Sequence, residues 1–175
     1  MSIYNPDPYK HGFTCKWWID NGVLYIEAHG NDSLYDWIRS VTGAFRLIKV
    51  GNVYYQRAWY RWAYRFWWRM RNEEFYRVES RWHSMGGAVG KDFLEILFNT
   101  RRKQGKPVVI ESKDNLTYGT PRPALNRRLS LTKDFCNKWD IVPRLPFWFK
   151  SNKPIILHNT PFGLYKSHMS YNWRF

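Results

Sequence analysis

The sequence is short of the residues that hold extracellular or membrane-spanning proteins together. Only two of its 175 residues are cysteines, Cys15 and Cys136. They lie far apart in the chain, which argues against a disulfide framework and indicates buried thiols without function. No stretch approaches the roughly 18 uninterrupted apolar residues of a membrane span, and residues 1–12 contain no apolar run of the signal-peptide kind. We therefore expect a cytoplasmic protein, with peripheral association with a membrane as a further option.

Acidic residues and metal-binding patterns are also scarce. Asp and Glu number 14 against 28 Lys and Arg, which gives a formal net charge of +14. None of the five histidines has the i,i+4 spacing or the cysteine neighbours of a metal site, so we expect neither a metal nor a cofactor. No linker rich in Pro, Ser or Gly divides the chain, and hydrophobic residues make up 44% of it. One compact domain over residues 1–175 is therefore expected. The composition does not indicate an oligomeric state.

The hydrophobic pattern indicates alternating strands and helices. Two strands, at 14–20 and 23–28, flank the turn dipeptide Asn21-Gly22, and a long helix from Tyr54 to Arg71 has apolar residues at three- and four-residue spacing. The other expected elements are a helix at 33–40, a strand at 75–80, a helix at 86–103, a strand at 107–111, and strand and loop from residue 149 on. This order predicts an α/β fold with a mainly parallel sheet and helices on both faces.

The segment 82–87, with the sequence W-H-S-M-G-G, is typical of a nucleophile elbow, the strand-to-helix turn that presents a catalytic serine. The usual pattern is G-x-S-x-G, so Trp82 stands in place of its first glycine. A strand pattern precedes the segment and a helix pattern follows it, which is the context that the motif requires. Ser84 is therefore the candidate nucleophile, and the backbone N–H of Met85 is a candidate donor to the oxyanion of an acyl-transfer intermediate.

Two later segments supply the partners that such a serine needs. A neutral hydroxyl is a weak nucleophile, so it requires a base and a third group that orients the base. Asp140 precedes a short apolar run stopped by prolines, and His168 lies near the end of the sequence, so the chain order is serine, acid, histidine, as in α/β-hydrolases. His158 is the alternative base. His83 adjoins the serine on a sharp turn, and we expect it to be a buried structural residue.

Several motifs in the same order resemble the class 3 lipases of the fungal triacylglycerol lipase type. Residues 29–37, H-G-N-D-S-L-Y-D-W, are similar to that family's F-R-G-T-x-S-x-x-D-W segment, and 83–88, H-S-M-G-G-A, to its G-H-S-L-G-G-A elbow. Residues 118–122 resemble its F-G-x-P-R segment, 140–146 its D-x-V-P-x-L-P acid segment, and 168–171 its H-L-S-Y. The likeness spans nearly the whole chain. The chain is nevertheless short for the family, and Y-Y-Q-R at 54–57 replaces its H-x-G-F.

The resemblance implies an α/β-hydrolase fold and further site residues. The family's oxyanion residue, which follows the first glycine, corresponds to Asn31, so Asn31 is the expected second donor beside Met85. The family's lid begins in the helix that comes next. There Leu34, Trp37 and Ile38 have the helical spacing expected of residues turned toward the pocket.

Part of the positive charge is organised. Four arginines recur every fourth residue of the predicted long helix and form one basic stripe: Arg57, Arg61, Arg65 and Arg69. Trp68 falls among them. Such a face suits anionic lipid head groups and also a nucleic-acid backbone, of which nucleic acid is the less favoured partner. A solvated helix face in a basic protein is the plainer alternative.

These observations leave three function classes. The leading hypothesis is a serine carboxylic-ester hydrolase acting on lipids, of lipase, esterase or phospholipase type, through an acyl-enzyme on Ser84. The second is a catalytically inactive relative whose basic surface binds anionic membrane or nucleic acid, which Trp82 and the lost H-x-G-F favour. The third is a peptidase or thioesterase with the same triad.

Overall fold

The computed structural model describes residues 2–4, 14–30, 46–157, 168 and 171 of the chain. The strands and helices in these ranges follow in the order β1 (Ser2–Tyr4), β2 (Thr14–Asp20), β3 (Val23–His29), β4 (Leu47–Val50), β5 (Val53–Gln56), α1 (Arg57–Met70), β6 (Arg77–His83), α2 (Met85–Lys103), β7 (Asn115–Tyr118), β8 (Lys133–Cys136) and β9 (Ile155–Ile156). A turn of 3-10 helix spans Val142–Arg144. No helix in the described ranges is long and apolar enough to cross a membrane.

A seven-stranded sheet with the order β1-β2-β3-β6-β7-β8-β9 forms the centre of the molecule. The pairs β1–β2 and β2–β3 are antiparallel, and every neighbouring pair from β3 to β9 is parallel. β4 and β5 form a separate hairpin. The mainly parallel sheet of an α/β fold is therefore confirmed. The carboxyl ends of β3, β6, β7 and β8 share one edge, which we call the carboxyl edge; open α/β sheets bind their ligands there.

Both described helices pack on one face of this sheet. Alternate residues of β3 and β6 are fully buried, and strand alternation sends these side chains to the same face. The buried cluster on that face draws on both strands and both helices: Leu24, Ile26, Ala28, Val78, Trp82, Trp59, Ala63, Phe66, Met70, Phe93, Leu94 and Leu97. Because α2 contacts β3, β6 and α1, it is the helix that lies directly on the sheet. The helices that we expect on the second face are not among the described residues.

The β2–β3 hairpin turns where the sequence predicts it. Asn21 and Gly22 both have positive φ, 48° and 74°. A two-residue turn of this kind requires positive φ at both positions, which Asn and Gly adopt at little cost. The antiparallel pairing of β2 with β3 is thus set by local chemistry.

The predicted start of the long helix is wrong. Residues 54–56 belong to β5, where Tyr55 pairs with Ile48 of β4, and α1 begins only at Arg57. The Gln56 side chain accepts a hydrogen bond from the Trp59 backbone N (2.7 Å) and so caps the first turn. Strand pairing and this cap together stop the helix from extending backwards.

Two predicted strands also lie elsewhere. The strand expected at 75–80 runs instead from Arg77 to His83. The run at 107–111 contributes only an isolated bridge between Val109 and Arg77, and the strand that pairs with β6 is Asn115–Tyr118. The helix expected at 33–40 lies outside the described residues.

Candidate active site

Ser84 occupies a strained turn between β6 and α2. Its backbone angles are φ 55° and ψ −133°, a region that residues with a side chain rarely adopt. The Ser84 N–H donates to the Tyr118 carbonyl (2.9 Å), and the Ser84 carbonyl accepts from Gly87 N (3.0 Å). These bonds hold the serine at the carboxyl edge between β6 and β7.

Two glycines let the neighbouring backbones approach this turn. A Cβ on Gly30 would lie 2.6 Å from Met85 Cβ, and one on Gly86 would lie 2.8 Å from the His29 carbonyl carbon. Real atoms are not found at such separations, so a side chain at either position would push the end of β3 away from the start of α2. The contact places the Gly30 backbone against Met85, and Gly30 N donates to the His83 carbonyl (3.2 Å).

The residue that departs most from the elbow pattern, Trp82, is fully buried and well accommodated. Its indole lies against Gly90 of α2, where an added Cβ would overlap the ring, and its centroid is 6.2 Å from that of Phe93. Its Nε1–H donates to Ser80 Oγ (2.5 Å). Where the usual pattern has a glycine on the strand, this protein has Trp82, and Gly90 on the helix leaves room for its indole.

His168 lies between Ser84 and Asp140. Its Nε2 is 2.8 Å from Ser84 Oγ and its Nδ1 is 3.0 Å from Asp140 Oδ2. All three residues are buried, with exposed fractions of 4% for Ser84, 1% for Asp140 and 8% for His168. Serine, imidazole and carboxylate thus form one continuous chain of hydrogen bonds between buried side chains.

Asp140 receives two hydrogen bonds besides the one from His168. The Val142 backbone N donates to Oδ1 (2.9 Å) and the Tyr171 hydroxyl donates to Oδ2 (2.6 Å). The Tyr171 oxygen in turn accepts from Asn137 N (2.8 Å). Burial, and then the charge of Asp140, raise the pKa of the Tyr171 phenol, so it stays protonated and remains a donor. Tyr171 was missed as a site residue, although it closes the H-M-S-Y segment that contains His168.

Gly119, at the end of β7, was missed as well. It has a positive φ of 58°, and a Cβ there would lie 2.7 Å from Asp140 Oδ2 and 3.0 Å from His168 Nδ1. A side chain at this position would therefore occupy the space where the acid meets the imidazole. The signal in the sequence is its place in the segment 118–122, Y-G-T-P-R.

His83 supports the backbone of His168. Its Nε2 donates to the His168 carbonyl (3.0 Å), and the two rings stack with centroids 5.0 Å apart. Burial and then the nearby His168 lower the pKa of His83 to about 4, so it is neutral near pH 7 with its proton on Nε2. It is buried, as the sequence predicts.

Met85 opens α2, so its backbone N–H belongs to the first helical turn, where the helix dipole favours negative charge. The other expected oxyanion donor, Asn31, lies outside the described residues. The lid candidates and the alternative base lie outside them too: Leu34, Trp37, Ile38 and His158. Within the described ranges, no group of three or more His, Cys, Asp or Glu is arranged to hold a metal ion.

The arginine stripe runs along the outer side of α1. All four of its members are exposed: Arg57, Arg61, Arg65 and Arg69. Gln56 N donates to the Pro123 carbonyl (3.0 Å), which ties the start of α1 to the loop after β7. The stripe therefore begins at the carboxyl edge and leads away from Ser84 toward the opposite edge.

Comparison with known proteins bears on the fold. No protein-family model matches the chain, and no curated protein matches it. A solved structure that does match is a fungal lipase–inhibitor complex, described as a model for interfacial activation in lipases. It aligns with a TM-score of 0.60 and 16% identity over 98% of this chain and 79% of that one. With the parallel sheet and the turn at Ser84, this likeness defines an α/β-hydrolase fold.

Proposed function

We propose that the protein is a serine ester hydrolase that acts on lipids through an acyl-enzyme on Ser84. The observation that carries the proposal is the hydrogen-bond chain from Asp140 through His168 to Ser84, with separations of 3.0 and 2.8 Å. Nucleophile, base and orienting acid are the three groups that acyl transfer requires, and the distances are those of productive hydrogen bonds.

The first half of the reaction makes the acyl-enzyme. His168 Nε2 removes the hydroxyl proton as Ser84 Oγ attacks the ester carbonyl carbon, and the carbonyl oxygen becomes an oxyanion. The Met85 N–H, with Asn31 as the proposed second donor, stabilises this oxyanion. As the intermediate collapses, the imidazolium protonates the departing alcohol oxygen. Asp140 keeps the Nδ1 proton in place and stabilises the cation.

The second half regenerates the serine. A water molecule gives a proton to His168 Nε2 and attacks the acyl carbon, and the second tetrahedral intermediate releases a carboxylic acid. The proton returns from His168 to Ser84 Oγ. The cycle consumes one ester and one water molecule, releases an alcohol and a carboxylic acid, and returns the protein to its starting state.

Lipid esters are the substrate class that the likenesses support. The sequence resembles class 3 lipases over five separated motifs, and the matched fold is that of a fungal lipase. We expect the acyl portion to be bound near Ser84, with Leu34, Trp37 and Ile38 as the proposed lid. The proposed lid predicts interfacial activation: specific activity on one ester should be higher at concentrations above the aggregation point of that ester than below it. Equal specific activity on dispersed and aggregated ester would contradict the lid proposal.

The hydrolase is tested by turnover of a soluble p-nitrophenyl ester and of an emulsified triacylglycerol. Ser84→Ala should reduce both rates to background, whereas Ser130→Ala, which changes an exposed serine, should leave both unchanged. Parallel assays with amide and thioester substrates separate this proposal from the peptidase and thioesterase alternatives. A folded wild-type protein that hydrolyses none of the esters contradicts the proposal.

A second candidate function is supported by the exposed arginine stripe. In this alternative the protein binds anionic membrane or nucleic acid without turnover. Trp68, 51% exposed and stacked with Arg71 at 3.9 Å, adds an aromatic surface to the same helix. Reversing Arg61 and Arg65 to glutamate should then abolish binding of anionic vesicles or of DNA, whichever is the ligand.

A further inference from the structure

The loop that carries Asp140 lies at the carboxyl edge, beside the serine. It spans residues 137–149, directly after β8, and we call it the acid loop. Arg122, from the loop after β7, joins it to the same edge: its backbone N donates to the Leu145 carbonyl (2.8 Å), and its guanidinium donates to the carbonyls of Pro143 (3.2 Å) and Phe147 (2.9 Å).

The acid loop is held by buried residues. Asp140, Val142, Pro143 and Phe149 are all buried. The Arg144 N–H donates to the Ile141 carbonyl (2.9 Å), which closes the 3-10 turn. Side chains between these anchors are therefore presented from a fixed backbone.

Several of the side chains presented are large, apolar and exposed. The exposed fractions are 73% for Phe147, 45% for Trp139, 39% for Trp148 and 38% for Ile141. Phe147 and Trp148 contact each other edge to face, with ring centroids 4.7 Å apart. A protein whose buried core is otherwise well supplied rarely exposes so much aromatic surface on one short loop, unless the loop meets an apolar partner.

The exposed charges of the acid loop are all positive. Its exposed charged residues are Lys138 and Arg144, and Lys150 follows immediately. Lys138 Nζ lies 5.9 Å from the centre of the Trp139 ring. The single acid of the loop, Asp140, is buried and engaged with His168. Aromatic rings beside lysine and arginine are the combination that favours the boundary between head groups and acyl chains of an anionic lipid surface.

We propose that the exposed aromatic part of the acid loop is the surface by which the protein docks on anionic lipid. This inference rests on the lipid hydrolysis proposed above, because docking there brings Ser84 to the side of the molecule that faces the lipid. The arginine stripe differs in position, since it leads away from the carboxyl edge. It contributes attraction at a distance, and the acid loop contributes the inserted side chains.

Vesicle binding by the full-length chain tests the proposal. The variant Phe147→Ser/Trp148→Ser removes the apolar contact, and the matched control Tyr64→Ser/Trp68→Ser removes two exposed aromatics from α1, 45% and 51% exposed. Binding is measured by flotation with phosphatidylcholine vesicles, with and without phosphatidylglycerol. We expect wild type to prefer the anionic vesicles and to lose affinity as salt rises. The acid-loop variant should bind them at least about tenfold more weakly, because it loses apolar area that the membrane buries. The α1 control should bind within about twofold of wild type, because its substituted aromatics lie outside the proposed contact and bury no area there.

Several results of these binding measurements would overturn the proposal. Equal binding by the acid-loop variant and wild type, or an equal loss in the α1 control, overturns the proposal. So does a wild-type dimer that the acid-loop substitutions dissociate, because the surface is then covered by a second copy. If the acid-loop variant loses binding to DNA but still binds vesicles as wild type does, the proposal is overturned in favour of a nucleic-acid partner.

Hydrolysis of a soluble ester separates this proposal from the enzymatic one. The acid-loop variant should hydrolyse that ester at the wild-type rate, because its substituted side chains lie outside the hydrogen-bond chain of the site. Vesicle binding that depends on Phe147 and Trp148 in a protein without esterase activity would support the docking surface and reject the hydrolase.

Discussion

Among the residues that the structure describes, two aspartates are at most 1% exposed, and their surroundings are opposite. Asp140, 1% exposed, accepts hydrogen bonds from Val142 N, the Tyr171 hydroxyl and His168 Nδ1. Asp92 on α2 is 0% exposed, and neither of its carboxyl oxygens has a hydrogen-bond partner in the described structure. Both lie where a charge is poorly solvated, and only one is provided with donors.

The comparison separates a buried carboxyl that is supplied with donors from one whose burial lowers stability. Three donors compensate the lost hydration of a carboxylate at Asp140 and fix its orientation. At Asp92, burial and then the neighbouring Glu95 raise the carboxyl pKa well above its usual value, so the neutral form is favoured. Asp92 also contributes to raising the phenol pKa values of Tyr55 and Tyr60, which lie near it. The two aspartates therefore differ in the donors around the carboxyl group and not in the degree of burial.

Replacing Asp140 should have the largest effect in the molecule. Asp140→Asn keeps the shape and removes the charge, so the His168 imidazole loses the acceptor that fixes its tautomer. If the proposed acyl transfer occurs at Ser84, kcat should fall roughly 10⁴-fold with KM little changed, as in characterised serine hydrolases. Asp92→Asn, the same change at the other buried aspartate, should leave ester hydrolysis unaltered. Steady-state kinetics on a soluble ester measure both, and a comparable loss in the two variants would contradict the distinction.

Replacing Asp92 should instead raise stability. Asp92→Leu removes a buried carboxyl without partners, and we expect the free energy of unfolding to rise by about 1–3 kcal/mol near neutral pH. The folded-state pKa is raised, so the folded protein binds this proton more tightly than the unfolded chain does. Stability is therefore greatest below the unfolded pKa and declines as pH rises through the interval up to the folded pKa.

Urea unfolding at several pH values tests this assignment. The gain from Asp92→Leu should be small near pH 4, roughly the pKa of an unfolded aspartate, and should increase toward neutral pH. A gain that does not depend on pH would show that packing, and not ionisation, is responsible.

His83 gives the opposite pH dependence. Its folded pKa of about 4 lies below the ordinary value of roughly 6.5, so the unfolded chain takes up the proton first. Wild type should lose stability as pH falls through this interval, and His83→Asn should lose less. Unfolding midpoints measured across the interval, in wild type and in the variant, would show parallel curves if His83 were not the group that titrates.

Removing one donor from Asp140 should have the smallest effect. Tyr171→Phe deletes the hydroxyl 2.6 Å from Oδ2 and leaves the Val142 and His168 hydrogen bonds in place. A single hydrogen bond to a charged group corresponds to a fall of about tenfold in kcat. Because this hydroxyl is engaged with Asp140 and Asn137, its loss should act on the orientation of the acid, and KM should stay constant. An unchanged kcat would mean that the other two donors are sufficient to orient the acid.

Local sequence patterns predicted those parts of the fold that local chemistry determines. The Asn21-Gly22 turn and the stripe of buried residues along α1 depend on neighbours within a few positions, and both occur as expected. The strand after α2 does not lie where the local sequence predicts it. The run around Val109 has strand composition, but Val109 accepts from Val78 N and donates to the Tyr76 carbonyl only at the start of β6. The pairing with β6 begins instead at Asn115, which lies opposite Ser80 and whose side chain donates to the carbonyls of Val78 and Glu111.

The site shows the same division. Ser84, Asp140 and His168 could be selected because each has a motif of its own, whereas their distances depend on tertiary packing at the carboxyl edge. Gly119 belongs to the 118–122 segment, but its contact with the site could not be predicted, since it depends on the missing Cβ beside Asp140 and His168. The compensation of Trp82 by Gly90 is equally invisible in the sequence, because it joins a strand to a helix through packing alone.

Labelling by a fluorophosphonate tests the central claim most directly, since this reagent reacts with a serine only when base and oxyanion donors activate it. We predict a single adduct on Ser84 in wild type, located by peptide mass spectrometry, much slower labelling in Asp140→Asn, and none in Ser84→Ala. An unlabelled Ser84 in wild-type protein that is folded by circular dichroism would contradict the account.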